Sequence, residues 1–135
     1  MTIAGLDHVS LPMHDVDAMV AFYRALGFDV AERRARVSVY AGDHMINFHL
    51  PEVWRNARFT LRAPNAQPPC GDLCFVWDGT AGTLDAQLAG AGATVEEGPV
   101  ERDGGRRENG MSVYVRDPDG NLLEFMIYEK KHDGS

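Results

Sequence analysis

Cysteine is scarce in this chain: Cys70 and Cys74 are the only two, one before a glycine and the other inside an apolar, strand-like run. Two are too few for the disulfide framework of a small secreted scaffold, so a reducing compartment is expected. Long hydrophobic runs are absent as well. No stretch approaches the ~20 apolar residues that a membrane span requires. The opening MTIAGLDHVSL also lacks the basic region and apolar core of a secretion leader. A cytoplasmic protein without a membrane partner is the expectation. Positive charge is in deficit, since 13 Lys and Arg face 20 Asp and Glu for a net charge of −7. That balance disfavours a general nucleic-acid binder, which needs a cationic surface to release counterions.

What is present is a pattern that occurs twice. The 135 residues fit one domain, or two small modules sharing a core. LDHVSLPM reads as an extended opening segment. Asp15 can cap a helix whose apolar stripe is Val16, Met19, Val20 and Tyr23, and Gly27 ends it. FDVAERR, ARVSVYAG and HMINFHL then read as strands. After Gly71 the order β-α-β-β-β returns: DLCFVWDG, a helix capped by Thr80 or Thr83 that carries Leu84 and Leu88, then ATVEE, MSVYVRD and NLLEFMIY. Pro118, Asp119 and Gly120 mark a turn between the last two. The expected organisation is a single domain over 4–128, with one module at about 5–50, a linker at 51–70, a second module at about 71–128 and a tail at 129–135. Trp54, Phe59 and Leu61 suggest that the linker packs down, covers a cavity or makes a dimer contact.

Strand alternation decides which side chains share a face. His8 and Ser10 point one way on the first strand, Asn47 and His49 on the fourth, Asp72 and Cys74 on the fifth, and Glu124 and Met126 on the last. The repeat relates His8 to Asp72 and Asn47 to Glu124. All four matched positions are polar and of metal-binding type, which points to one shared cavity.

Two stretches, LDHVSLPMHDVDAMVAFYRALGF near the start and SVYVRDPDGNLLEFMIY near the end, make the chain similar to the vicinal oxygen chelate superfamily of glyoxalases, bleomycin-resistance proteins and extradiol dioxygenases. With INFHL and EEGPV, it most resembles the subgroup called glyoxalase domain-containing protein 5. The resemblance implies an α+β fold in which two βαβββ modules form a curled mixed sheet around a central cavity. It implies a divalent metal held by His8 and Glu124, with the fifth-strand position falling on Asp72 and the fourth-strand position on Asn47. Asn47 and Asp72 depart from the residues common there. His49, two residues beyond Asn47 on the same face, either joins the metal ligands or acts as a base or oxyanion partner.

A mixed nitrogen and oxygen donor set of this kind suits Fe, Mn, Co, Ni or Zn. Binding a substrate through adjacent oxygens acidifies a neighbouring proton or stabilises an enediolate, and His49 or Glu124 would move that proton. The leading expectation is a metal-dependent lyase or isomerase of the glyoxalase-like class. The alternatives are an extradiol-type dioxygenase and a metal-independent small-molecule binding or resistance protein. Tyr114 is a candidate catalytic or substrate-binding hydroxyl, and Ser10 and Asn47 are candidate substrate contacts. The segment ERDGGRRENG, from 101 to 110, reads as a mobile lid whose Arg106 and Arg107 would attract an anionic substrate. His14, His44 and His132 read as surface or packing residues, Cys74 as a core filler, and Trp54 and Trp77 as packing. The resemblance also implies a homodimer.

Overall fold

The computed structural model describes residues 2–129, so the expected tail lies outside the described residues from 130 on, His132 included. Elements follow in the order β1 (His8–Pro12), α1 (Val16–Ala25), β2 (Asp29–Glu32), β3 (Arg36–Ala41) and β4 (His44–His49). The short helix α2 (Pro51–Trp54) comes next. It is followed by β5 (Asp72–Val76), α3 (Ala81–Gly90), β6 (Glu97–Asp103), β7 (Asn109–Arg116) and β8 (Leu122–Tyr128). The β-α-β-β-β order therefore occurs twice, with α2 in the connection.

Helix α1 begins where the sequence signals it. The Asp15 carboxylate accepts from the Ala18 amide at 3.2 Å, which satisfies one of the unpaired donors of the first turn. Its stripe buries Met19, Val20 and Tyr23, and Gly27 closes the helix at φ +97°, a conformation that costs glycine nothing. Helix α3 opens on a reciprocal cap in which Thr80 and Thr83 bond each other's backbone N–H, and it buries Leu84 and Leu88. Each such fully buried aliphatic side chain contributes about 1.5–3 kcal/mol.

The strands do not form the single curled mixed sheet around a central cavity that the resemblance implied. They form two open four-stranded sheets, in the orders β1-β4-β3-β2 and β5-β8-β7-β6. The reason lies in the edge strands. β1 takes its ladder bonds from β4 alone and β5 from β8 alone, each in parallel, so no backbone ladder joins the modules. The modules meet through side chains instead, in one core that includes Tyr23, Phe48, Leu88, Val115 and Phe125. Phe28 meets Phe75 edge-on at 4.9 Å across that boundary.

The DPDGN turn clasps the two halves together. Asp119 accepts from the amides of His14 and Asp15 at 2.7 and 2.8 Å, at the entrance of α1. Asp117, buried, accepts from the Tyr23 hydroxyl at 2.7 Å. Asn121 accepts from the Gly71 amide at 2.8 Å, and Gln87 of α3 donates to the Ala25 carbonyl at 2.7 Å.

Two further segments differ from expectation. The strand expected at ATVEE starts only at Glu97 and runs on to Asp103, with a register shift between Glu97 and Val100. Pro99 is tolerated there because β6 is an edge strand, which leaves room for a residue with no N–H. The segment 101–110, expected as a mobile lid, is the end of the β6–β7 hairpin, with residues 101–103 closing β6, 109–110 opening β7 and 104–108 forming the turn between them. Gly104 belongs at its tip because a Cβ there would strike the Tyr128 ring. The connection between modules does pack down, as its aromatic residues suggested. The Trp54 indole donates to the Met13 carbonyl at 2.8 Å, and Phe59 meets the His49 ring edge-on at 5.0 Å.

Candidate functional site

Glu124 sits mid-strand on β8 with Cys74 of β5 beside it on one side and Tyr114 of β7 on the other. The fully buried Ser112 donates its hydroxyl to one oxygen of the Glu124 carboxylate at 2.6 Å. That short, charge-assisted bond fixes the carboxylate on the sheet face. Cys74 feels it directly. Lost solvation at the sheet, then the Glu124 charge and a hydrogen bond to Glu124, then Asp72, push its thiol up to about 12. Cys74, expected as a core filler, is instead exposed, and its thiol stays protonated at neutral pH. The Tyr114 hydroxyl accepts from Arg102 Nε at 3.0 Å, and that bond pushes the already high guanidinium pKa further up.

On the other module, His8 stands exposed on β1 with its Nδ1 2.6 Å from the Asp7 carboxylate. Ser10 pairs with Asn47 across β1 and β4, and Asn47 is buried with its carbonyl oxygen taken by the Ser38 hydroxyl at 2.9 Å. His49 is half-buried at the far end of β4. Desolvation first, then the charges of Arg36 and Arg62, lower its pKa, so its imidazole is neutral at pH 7. In the ladder His8 pairs with Met45 while His49 pairs with Pro12, four residues on, which is about 13 Å along the strand. Asp72 is exposed and pairs with Leu122, one step of the same face from Cys74 and Glu124.

The structure thus gathers Glu124, Ser112, Cys74 and Tyr114, and holds His8 on β1 and His49 on β4 at opposite ends of that parallel pair. The repeat is exact in its parallel pairs, where Ser10 faces Asn47 as Cys74 faces Glu124. The antiparallel hairpins are offset by two residues, since Asn47 faces Ser38 but Glu124 faces Tyr114. A metal ion needs several converging donors. Among the described residues of one chain, no group of three His, Cys, Asp or Glu side chains is placed to hold one. The donors of a single chain therefore do not by themselves fit the metal that the resemblance implied.

An open cavity of about 790 Å³ lies between the modules. His8, Cys74 and Arg106 line it, over a floor that includes Phe28 and Phe75; Glu124 is not among its lining residues. Arg106 reaches it from the β6–β7 turn, with its guanidinium over the Tyr128 ring at 4.8 Å. Arg107 is exposed, adopts φ +62° in that turn and does not line the cavity. Two partners escaped the sequence reading. Asp7 is signalled by nothing more than its place before His8. Ser112 shares the Tyr114 face of β7, but its bond to Glu124 depends on a diagonal contact that spacing does not reveal.

Two β-α-β-β-β modules with polar, oriented residues at matching strand centres and an apolar cavity between them define a protein class built around a small-molecule site. A family model described as the glyoxalase/bleomycin resistance protein/dioxygenase superfamily matches residues 5–125, and the chain belongs to that superfamily. It is 36% identical over 130 residues to the virulence protein STM3117 of Salmonella typhimurium, covering 95% of this chain and 87% of that one. The crystal structure of that protein aligns at a TM-score of 0.82 with 34% identity, over 96% of this chain and 100% of the other. An integron cassette protein from the mobile metagenome of V. cholerae aligns equally well, at 0.82 and 33% identity over 96% and 98%. The glyoxalase domain-containing protein RDO1 of Mycosarcoma maydis is 35% identical over 96% of this chain and 71% of its own length. No helix among the described residues is long and apolar enough to cross a membrane.

Proposed function

We propose that this chain is a metal-dependent small-molecule enzyme of the glyoxalase-like class, a lyase or isomerase, working as a cytoplasmic homodimer. Within the superfamily the reading places it nearest to the glyoxalase domain-containing protein 5 subgroup, on the stretches INFHL and EEGPV. The observation that carries this reading is the preparation of each donor separately. The Glu124 carboxylate is fixed by buried Ser112, and the His8 imidazole is held by Asp7. Ligand side chains of metal enzymes are held in this way by partners behind them. Since the described residues of one chain gather no set of three, the reading requires a second copy to bring His8 of one chain to Glu124 of the other, with Asp72 or His49 completing the set. Glu124, as an oriented carboxylate, is otherwise suited to take a proton from a substrate carbon. Arg106 is placed to meet an anionic substituent.

The test is the metal content of the native protein and of three variants. His8→Ala and Glu124→Gln each abolish retention, while Ser112→Ala weakens affinity about 10–100-fold, as loss of a supporting partner does. His49→Ala separates its two roles: a ligand loses metal, and a base keeps metal and loses turnover. Unchanged metal affinity in both His8→Ala and Glu124→Gln overturns the assignment. A metal-independent binding protein is the second reading, favoured by the lack of a three-donor group among the described residues of one chain. It predicts native protein that retains no ion yet still binds its ligand.

A further inference from the structure

We propose that the connection between the modules carries a second ligand site, an oxyanion pocket for the phosphate group of a small phosphorylated molecule, held by Arg55 and Arg62 beside Trp54. Its lining shares no residue with the cavity between the modules, so it stands independently of the enzyme reading.

Charge is segregated along the chain. Residues 33–62 hold Arg33, Arg34, Arg36, Arg55, Arg58 and Arg62 against only Asp43 and Glu52, in a protein whose net charge is −7. Among the described residues no carboxylate pairs with any of these arginines; the ion pairs made by arginine are at Arg24, Arg102 and Arg116. The fold draws the two arginine-bearing segments towards one place. Arg36 pairs with His49 across β3 and β4, and Phe59 packs on that His49 ring. Two guanidiniums then share one indole: that of Arg55 stands 5.0 Å from the centre of Trp54, and that of Arg62 5.8 Å. Like charges gathered without a counter-charge repel one another, and an anion between them removes that cost.

A pocket of about 320 Å³ lies at this point, and Trp54, Arg55, Asn56, Phe59, Thr60 and Arg62 are among its lining. That volume suits a small molecule and not a folded partner. Every polar side chain of the lining can donate, and none is a carboxylate. The Asn56 carbonyl oxygen is already taken by the Arg58 amide at 3.0 Å, which leaves the Asn56 NH2 group to donate. Arg62 is tied in place, donating to the Pro64 carbonyl at 3.4 Å and to that of Ala66. Its charge is therefore positioned before any ligand arrives. Arg55, exposed, brings the second charge. Two guanidiniums match a phosphate dianion better than a monocarboxylate, because its oxygens accept from both forks and its charge balances theirs. Trp54 and Phe59, each half-buried, offer apolar surface to the body of the molecule.

The probe is inorganic phosphate, followed by calorimetry on the native protein. A second readout is the emission of Trp54 in Trp77→Phe, which keeps no other tryptophan. Phosphate is expected to bind at least tenfold more tightly than acetate at equal ionic strength and to shift the Trp54 emission. Arg55→Gln and Arg62→Gln should each weaken phosphate about tenfold, the worth of one charge-assisted hydrogen bond. Arg55→Lys, which keeps the charge and loses the fork, should fall between. Arg62 also ties down the connection, so Arg55→Gln carries the test where Arg62→Gln does not fold. Glu124→Gln should leave phosphate affinity unchanged, and metal content of the same samples reports separately on the enzyme reading. Equal affinity for phosphate and acetate overturns the proposal, as does Trp54 emission that phosphate leaves in place. So does Arg55→Gln protein that binds phosphate as the native protein does, or affinity lost in Glu124→Gln, which puts the anion elsewhere. Co-sedimentation with phosphatidic acid vesicles without any response to free phosphate overturns it in favour of a lipid surface.

Discussion

Asp117→Ala is expected to destabilise the fold by about 3–5 kcal/mol, the cost of removing one partner from a buried, charged network. Asp117 is 4% exposed and accepts from five donors: the Tyr23 hydroxyl, the Asn121 side chain, and the amides of Asp119, Gly120 and Asn121. Alanine leaves the Tyr23 hydroxyl and the Asn121 amide group buried with nothing to donate to. The loss also spans the modules, since Tyr23 lies on α1 and Asp117 precedes β8. Urea unfolding measures it directly, and Tyr23→Phe, which removes one bond and keeps the ring, should cost only about 1–2 kcal/mol. A change below 1 kcal/mol for Asp117→Ala would refute the clasp.

The same residue gives a pH dependence with a defined sign. Burial raises the Asp117 pKa, against hydrogen bonds from Asn121 and Tyr23 that lower it and a nearby Asp119 that raises it. A raised folded value means the native state binds the proton more tightly than the unfolded chain does. The contribution is fully present below the unfolded carboxyl value, about 3.9, and is lost as pH rises through the folded value. Wild type should therefore lose stability relative to Asp117→Asn over that interval. A constant difference between them would contradict the raised value.

Glu124→Gln is expected to raise the rate at which Cys74 reacts with iodoacetamide at pH 8 by tenfold or more. The thiol is pushed up to about 12, first by desolvation and then by the Glu124 charge and hydrogen bond, with Asp72 last. Gln removes both Glu124 contributions while keeping shape, and each pKa unit recovered gives about a tenfold gain in thiolate. Cys70, whose thiol is also raised by burial but with Arg62 opposing, serves as the internal reference and should not change. Mass spectrometry of the labelled peptides separates the two. Equal rates at Cys74 in both proteins would show that the carboxylate does not reach the thiol.

Much of the fold was legible because local signals and burial agree. Asp15 and Thr80 are caps by chemistry, Gly27 is a stop by conformation, and the spacing of Met19, Val20 and Tyr23 fixes the buried face of α1. The parity of β4, β5 and β8 placed Asn47, Cys74 and Glu124 on their faces. Sheet closure was not legible, because it depends on whether β1 and β5 find each other's backbone, and alternation says nothing about which strand an edge will meet. The β6 start was missed because Val95 and the residues around it alternate like a strand, while the first ladder pair forms only at Glu97 with Tyr114. The site was legible as a set of residue types and not as an assembly. His49 shares its face with Asn47, yet the strand separates it from His8, and Phe59 of the connection packs against it.

Subunit mixing tests most directly whether two copies build one site. His8→Ala and Glu124→Gln proteins are unfolded together, refolded and weighed by native mass spectrometry. Each variant alone should form dimers without metal. The mixed dimer should hold one ion, because one of its two sites receives both intact donors. A mixed dimer as empty as its parents, or a native protein that remains monomeric with its metal bound, would contradict the account.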